Sequence, residues 1–372
     1  MANSNKIIKI KGSVKHYDWG GKTFLPQLLN LPNPEQKPFA EYWLGDHLES
    51  GYGAVPYLMK VQDVAMMLSI QVHPNKEVAA RKFREENEKG LAPDAPDRNY
   101  KDANHKPELL SPLGDFYLLH GFKPEEAMEK ILDQVPELNF LLPEFANGNY
   151  KKLYTTVMEL PQNKVNELLQ PLIQRIIPCY DRGEFSKDKE DFWAARAAKT
   201  FTANGHIDRG IFSVYLFNVV KMSKGQALFQ DAGLPHAYLE GHTMEIMANS
   251  DNVLRGGLTS KFIDVQELLE QVVYGPTVPH ILPGHSSDTP EEVFTTPASD
   301  FQLSRIVIAT DKAYSLSSAK TDIYFLYKGE VEIISEDLTL KAKAGEAWLV
   351  LPGTKIKLQS IRQAVLYRAT EP

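Results

Sequence analysis

The sequence contains a single cysteine, Cys179, among 372 residues. One thiol excludes a disulfide within the chain and any metal site built on several cysteines. Chains poor in cysteine are typical of reducing compartments, so we predict a cytoplasmic protein. No apolar run approaches the ~20 residues of a membrane-spanning helix, because the longest strongly apolar segment is 211–220. Residues 1–11 also lack the apolar stretch of a signal peptide.

An excess of basic residues is also missing. The chain has 41 lysines and arginines against 48 aspartates and glutamates, which gives a net charge of −7. Domains that bind nucleic acid usually concentrate positive charge in a stripe, and no such stripe stands out here. We therefore expect neither a nucleic-acid partner nor a membrane partner. A site for an anionic ligand would need a local group of cations.

Three regions of the chain differ in their hydrophobic pattern. Residues 1–122 carry short apolar runs separated by glycine and proline, which is typical of β-strands. Residues 123–210 instead repeat apolar residues at helical spacing, with Pro171 interrupting one series. The strand-like pattern then returns up to residue 372, and we predict 211–221 as its first strand.

One pattern occurs twice, at 225–236 and 345–353: a glycine turn, an apolar strand and a turn with proline. It suits the small antiparallel barrels called jelly rolls or cupins. We therefore predict a mainly β fold with an α-helical insertion, made of two cupin or jelly-roll barrels plus a helical domain. The predicted units are a discontinuous first barrel at 1–122 and 211–275, a helical insertion at 123–210 and a second barrel at 276–372. The second copy has no histidine beside its proline, so that barrel is predicted to be metal-free.

Two short segments place metal-binding residue types close together. Gln71 and His73 are two residues apart on a predicted strand, so their side chains project to the same face. Imidazole suits zinc, and an amide oxygen can complete such a site. Lys106 and Glu108 flank Pro107, which favours an extended chain. This pair can place a carboxylate ligand beside a cation.

Two further segments add a third histidine and a group of cations. His236 follows the first copy of the repeated pattern, where a barrel mouth would lie, but His242 comes six residues later and spacing alone does not choose between them. The segment 244–261 passes from an apolar strand through two glycines, which let a ligand approach the backbone. It also carries Arg255 and Lys261, whose side chains both suit a phosphate group.

Taken singly, these segments are most simply explained as polar strand ends and solvated turns. Together and in this order, they resemble the type I phosphomannose isomerases from nearly end to end. The motifs that carry the resemblance are His-Tyr-Asp-Trp-Gly at 16–20, Leu-Ser-Ile-Gln-Val-His-Pro at 68–74, Asn-His-Lys-Pro-Glu at 104–108, Pro-His-Ala-Tyr at 235–238 and Ser-Asp-Asn-Val-Leu-Arg at 250–255. The helical insertion also fits that family's plan. One departure is Glu-Gly-His-Thr at 240–243, where Ser-Gly-Asp is common in the family.

The resemblance implies a zinc-dependent aldose–ketose isomerase that interconverts mannose 6-phosphate and fructose 6-phosphate through a cis-enediol. It implies one Zn²⁺ per chain, with the metal ligands Gln71, His73, Glu108 and His236, and so decides against His242. The implied catalytic residues are Arg255, Glu245, Lys106 and Asp251, and the implied substrate contacts are Arg255, Lys261, Ser69 and Trp19. The expected partner is a small sugar phosphate, and the protein is expected to be a monomer.

Several alternatives stay open at this point. We favour Glu245 as the base over Lys106 and Asp251, with a bound water as a further candidate. Either Arg255 and Lys261 both pair with the phosphate, or Arg255 lies against the enediolate while Lys261 and Ser69 bind the phosphate. A cupin oxygenase would bind Fe(II) through two histidines and a carboxylate, but a glutamine as fourth ligand and two nearby cations argue against it. A sugar-phosphate-binding module without activity would have little use for three further ionisable groups in one pocket.

Overall fold

The computed structural model describes residues 6–45, 55–283 and 289–372. Its strands, in chain order, are β1 Ile7–Ile10, β2 Ser13–Lys15, β3 Glu41–Leu44, β4 Tyr57–Val64, β5 Gln71–Val72, β6 Glu108–Phe122, β7 Phe217–Met222, β8 Ala227–Gln230, β9 His236–Ala248, β10 Leu254–Arg255, β11 Ile281–Leu282, β12 Glu291–Phe294, β13 Gln302–Ile308, β14 Ala313–Ser318, β15 Asp322–Ile334, β16 Thr339–Lys343, β17 Ala347–Val350 and β18 Thr354–Thr370. Its α-helices are α1 Phe24–Leu28, α2 Lys76–Glu88, α3 Glu125–Gln134, α4 Leu142–Phe145, α5 Tyr150–Glu159, α6 Gln162–Asp181, α7 Glu190–Phe201, α8 Gly210–Leu216 and α9 Val265–Gln271. Two 3₁₀ helices cover Pro136–Leu141 and Ala146–Gly148.

The described strands form two antiparallel sheets, which confirms the prediction of a mainly β protein with helices. One sheet has eight strands in the order β1-β17-β15-β18-β13-β12, with β14 beside β18 and β16 beside β15. The other has ten strands in the order β11-β8-β6-β9-β4-β3-β2, with β7 beside β6, β5 beside β9, and β10 beside β5. Strand β1 lies in the eight-stranded sheet, although its residues precede every strand of the other sheet. Apolar side chains from both sheets share one core, in which Ile246 and Tyr367 are fully buried.

The segment predicted to be helical, 123–210, contains α3 to α7, and α8 begins at its last residue. One face of α6 is buried, as the spacing of its apolar residues predicts: Val165, Leu169, Leu172 and Ile176. The prediction that Pro171 interrupts this helix is wrong, because α6 continues through it. Pro171 lies on the exposed face, so water can hydrate the carbonyl that loses its hydrogen bond, while the opposite face stays packed. Within the described residues, no helix is both long and apolar enough to cross a membrane.

The strand predicted at 211–221 is wrong over its first half. Helix α8 occupies Gly210–Leu216, and strand β7 begins only at Phe217. All seven residues of α8 are buried, so the segment shows neither the alternation of a strand nor the one-sided pattern of a surface helix. A short run that is apolar on every side does not reveal its own secondary structure.

Candidate metal centre and active site

Three strands of the ten-stranded sheet bring the predicted metal ligands together. Strand β9 begins at His236, which lies opposite Gln71 of β5. Strand β6 begins at Glu108 and pairs with β9 along most of its length. His73 follows β5 directly, and its ligand atom lies within 4.8 Å of those of Glu108 and His236. All three are buried, and Gln71 lines the same cavity as Glu108 and His236.

Main-chain carbonyls decide which nitrogen of each histidine faces the cavity. Nδ1 of His73 lies 2.7 Å from the carbonyl oxygen of Asn252, and Nδ1 of His236 lies 2.9 Å from that of Leu234. Because a carbonyl oxygen only accepts, each Nδ1 carries the hydrogen, which leaves Nε2 as the acceptor of a neutral ring. Burial and then the charge of Lys106 lower the pKa of His73 to about 4. This ring is therefore neutral at pH 7, as a metal ligand must be.

Both Nε2 atoms face the carboxylate of Glu108. His73 Nε2 lies 3.4 Å from Oε1, and His236 Nε2 lies 3.2 Å from Oε2. Burial favours the neutral acid, but the charge of Lys106, whose Nζ is 3.2 Å from Oε1, outweighs burial and holds the pKa of Glu108 well below its usual value. Glu108 is therefore an anion at neutral pH.

This arrangement fits a divalent metal ion. Two ring nitrogens and a carboxylate, all acceptors, face one another in a buried place, and such groups repel unless a cation lies between them. In the part of the chain that the structure describes, His73 Nε2 is buried without a hydrogen-bond partner. Imidazole nitrogen, carboxylate and amide oxygen are ligands that suit zinc.

The same cavity is also lined by a charged network that the sequence analysis missed. Lys60 of β4 lies 3.2 Å from Glu245 of β9 and 3.9 Å from Glu41 of β3. Gln62 donates to both carboxylates, at 2.9 Å to Glu41 and 3.2 Å to Glu245. Tyr238 donates its hydroxyl hydrogen to Glu245 at 2.7 Å. The signal in the sequence was a lysine and a glutamine two residues apart in a strand that is apolar apart from them and Asp63, since Lys60 and Gln62 must face the same side.

Buried charges in this network shift the pKa of its members. Burial raises the pKa of Glu245, against the opposing charge of Lys60. Burial alone would lower the pKa of Lys60, but Glu41 and Glu245 raise it, so Lys60 stays a cation. Glu245 is thus a buried carboxylate that is easier to protonate than an ordinary glutamate, at a place within reach of the metal ligands.

Arg255 lies next to a residue that lines this cavity, and the charge of Lys261 interacts with that of Arg255. Arg255 is opposite Gln71 in the pairing of β10 with β5, and it is half-buried. Burial lowers the pKa of Arg255, and burial followed by the charges of Arg255 and Lys101 lowers that of Lys261. Among the described residues, no carboxylate forms an ion pair with Arg255, Lys261 or Lys101. A group of unpaired cations is a site for an anion.

The remaining predicted residues differ in how closely they approach the cavity. Lys106 and Glu245 line it, together with the residues named above; the lining residues are Glu41, Lys60, Gln62, Leu68, Gln71, Lys106, Glu108, His236, Ala237, Tyr238 and Glu245. Ser69 follows one of them, in a loop that hydrogen-bonds to Gly257 through its neighbour Ile70. Trp19 packs against the cluster that contains Tyr238. Asp251 has an exposed side chain, and its N–H donates to Asp102 at 2.7 Å.

His242 lies outside the metal-ligand cluster. Its ring stacks on that of Phe24, with 3.8 Å between the ring centroids, and its Nε2 lies 3.2 Å from Oδ1 of Asp63. The neighbouring Glu240, where the sequence departs from the usual motif, forms ion pairs with Lys187 and Arg196 of the helical segment. This departure therefore concerns the contact between the helical segment and β9, away from the ligands.

A buried His-Glu-His acceptor cluster, an ionisable network lining the same cavity and a group of unpaired cations are the features of a metalloenzyme site for an anionic substrate. The type I phosphomannose isomerase catalytic-domain model matches residues 48–125. The mannose-6-phosphate isomerase of Salmonella typhimurium is 32% identical over 376 residues, covering 91% of this chain and 93% of the relative. The Rattus norvegicus enzyme of the same name is 31% identical and covers 90% of each chain.

Solved structures agree with these relatives. A structure of the Salmonella typhimurium mannose 6-phosphate isomerase bound to its substrate and zinc has a TM-score of 0.86 at 29% identity, covering 99% of this chain and 100% of that one. A mannose 6-phosphate isomerase structure with zinc and yttrium also has a TM-score of 0.86, with the same coverage and identity. The chain belongs to the mannose-6-phosphate isomerase family. The predictions of the family and of the enzyme class are thereby confirmed.

Proposed function

We propose that this protein binds one zinc ion through Gln71, His73, Glu108 and His236 and interconverts mannose 6-phosphate and fructose 6-phosphate. The observation that carries the proposal is a set of acceptor atoms that face one another. The Glu108 carboxylate lies 3.4 Å from Nε2 of His73 and 3.2 Å from Nε2 of His236. Zinc bound there would supply a Lewis acid for the reacting sugar oxygens. The zinc in the related Salmonella structure with bound substrate supports the same assignment.

The reaction moves protons between neighbouring carbons and oxygens. From the aldose, a base removes the C2 proton and returns it to C1, while O2 loses a proton and O1 gains one; the intermediate is a cis-enediol. Glu245 is the best base because it is buried, lines the cavity and has a raised pKa. Lys106 and Asp251 are the other candidates, and the exposure of Asp251 makes it the weaker of the two.

The acid side of the pH–rate profile tests this base. A base must be ionised to act. As the pH is lowered, kcat/KM should therefore begin to fall at a pH above the ordinary glutamate pKa of about 4.3, because the pKa of Glu245 is raised. Lys60→Met removes a charge that lowers the pKa of Glu245, so the acid limb of the residual activity should move to higher pH. Measuring kcat/KM across the acid and neutral range in both proteins checks this. An unmoved limb would favour Lys106 or a bound water as the base.

The group of unpaired cations would hold the charged end of the substrate. Arg255 is half-buried and lies opposite Gln71, so within this group it is the cation placed next to a proposed metal ligand. We propose that it contacts the enediolate oxygens, and that Lys261 together with Ser69 binds the 6-phosphate. Trp19 would complete the pocket wall next to Tyr238.

The architecture we propose for this function has three units. The two sheets would be two cupin-type jelly-roll barrels, of which the first, predicted at 1–122 and 211–275, is catalytic. Strand β1 would belong to the second barrel and β11 to the first, because β1 pairs with β17 and β11 pairs with β8. The helical insertion would be 123–210, and the metal-free second barrel 276–372. We propose that the protein acts as a monomer in the cytoplasm, on a small sugar phosphate and without a nucleic-acid or membrane partner.

A coupled assay with mannose 6-phosphate, with metal analysis of protein purified without added metal, tests the proposed function. We expect turnover, close to one zinc per chain, loss of activity on chelation and recovery with zinc. Oxygen consumption with an organic substrate would instead favour an oxygenase. Tight binding of the sugar phosphate without turnover would favour a binding module.

A further inference from the structure

Asn252 is fully buried, and its side chain bonds entirely to one distant loop. Its Oδ1 accepts from the N–H of Lys101 at 2.7 Å and that of Asp102 at 3.2 Å. Its Nδ2 donates to the carbonyl oxygens of Asp102 and Asn104, at 2.8 Å each, with the Asp102 carboxylate at 3.3 Å. Both donor hydrogens and both acceptor positions of the amide are thus used on residues 101–104.

The backbone of the same residue holds a predicted metal ligand. The carbonyl oxygen of Asn252 accepts the Nδ1–H of His73 at 2.7 Å, which sets the tautomer that leaves Nε2 free. The N–H of Asn252 donates to Ser250 Oγ at 3.2 Å, and the hydroxyl of Ser250 donates to the Asn104 carbonyl at 3.2 Å. The position of this carbonyl therefore depends on how firmly the loop at 101–104 is attached.

The loop also carries a cation toward the anion site. Lys101 is exposed, and its N–H is bonded to the side chain of Asn252, three residues before Arg255. Its charge also acts on Lys261, as does that of Arg255. The carboxylate of Asp102 does not neutralise Lys101 in an ion pair among the described residues; its Oδ2 accepts the N–H of Asp251 at 2.7 Å instead. Lys101 is thus a third unpaired cation beside two that the proposed function assigns to the substrate.

We propose that Asn252 is a positioning residue that holds His73 toward the metal through its carbonyl and Lys101 toward the substrate phosphate through its amide. Lys101 is then a phosphate-binding residue, in addition to Arg255 and Lys261. This inference rests on the proposed function for the roles of the metal and the phosphate. It predicts that one substitution at Asn252 weakens two binding events that share no ligand atom.

The test uses Asn252→Ala and Asn252→Asp in the full-length protein. We expect the zinc dissociation constant to rise about 10–100-fold, the usual effect of losing a group that orients a metal ligand. The inhibition constant of inorganic phosphate should rise about tenfold, as should KM for mannose 6-phosphate, because Lys101 is no longer held. Asn252→Asp should have the larger effect. It replaces the donor Nδ2, which lies 2.8 Å from two main-chain carbonyl oxygens, by a carboxylate oxygen that these carbonyls repel.

Three control variants separate the effect on zinc binding and the effect on phosphate binding from a general loss of stability. Lys101→Met should weaken phosphate inhibition alone. His73→Ala should lose zinc affinity, measured by titrating the apoprotein with zinc. Asn33→Ala is the matched control, because the Asn33 amide also joins two main-chain carbonyls and one N–H, in a loop outside the site. It should leave the zinc dissociation constant and the phosphate inhibition constant unchanged.

Wild-type protein supplies a measurement that needs no variant. Amide hydrogen exchange of the segment 99–104 should be slower with zinc than after its removal, because the metal fixes His73 and, through Asn252, the loop. The proposal is overturned if folded Asn252→Ala keeps both constants within about twofold, or if zinc leaves the exchange of this segment unchanged. Failure of the proposed function would differ, because wild-type protein would then lack zinc or turnover.

Discussion

Replacing His73 or His236 by alanine should remove both the metal and the activity. Each ring presents an Nε2 lone pair to Glu108, at 3.4 Å and 3.2 Å, and each is held by an Nδ1–H bond to a main-chain carbonyl. Losing a residue that merely orients a ligand costs about 10–100-fold in metal affinity, so losing a ligand should cost more. Zinc content per chain after dialysis and turnover in the coupled assay measure the two losses.

His242→Ala is the matched control for this experiment. His242 lies on the same strand as His236, but its ring stacks on Phe24 and faces Asp63, and it is 41% exposed in its side chain. We expect it to keep most of the zinc and most of the turnover. An inactive, zinc-free His242→Ala protein beside a normal His236→Ala protein would refute the assignment of the ligands.

Local sequence rules supported three of the four proposed metal ligands, although the full set was implied only by the family resemblance. The alternation of a strand puts Gln71 and His73 on one face, and Pro107 keeps Glu108 in an extended chain. The choice of His236 over His242 needed the family resemblance, because spacing alone allowed both. In the structure His236 lies opposite Gln71, whereas His242 lies opposite Asp63.

Other features could not be predicted because they depend on the packing of distant segments. The network of Glu41, Lys60 and Glu245 joins strands β3, β4 and β9, and only the pairing of these strands brings the three charges together. The contact of Asn252 with Lys101 spans 151 residues. Helix α8 was missed because burial on all sides erases the periodicity that distinguishes a helix from a strand.

Replacing Arg255 by alanine should lower turnover by about 10²–10³ while zinc stays bound, the usual effect of removing one donor that stabilises developing charge. The guanidinium is half-buried and has no ion pair among the described residues, so its partial desolvation is not offset by a carboxylate of this chain. An anionic substrate supplies the missing partner. Because Arg255 lies opposite Gln71, this partner would lie next to the reacting carbons.

The controls for Arg255→Ala separate its charge from its shape. Arg255→Lys keeps the charge but loses the planar fork, so it should recover only part of the turnover. Arg81→Ala removes an exposed arginine that pairs with Glu85 on α2 and should leave the rate unchanged. If Arg255→Ala raised KM with kcat unchanged, the arginine would bind ground state and transition state equally, and the contact with the enediolate would have to be given up in favour of a phosphate contact.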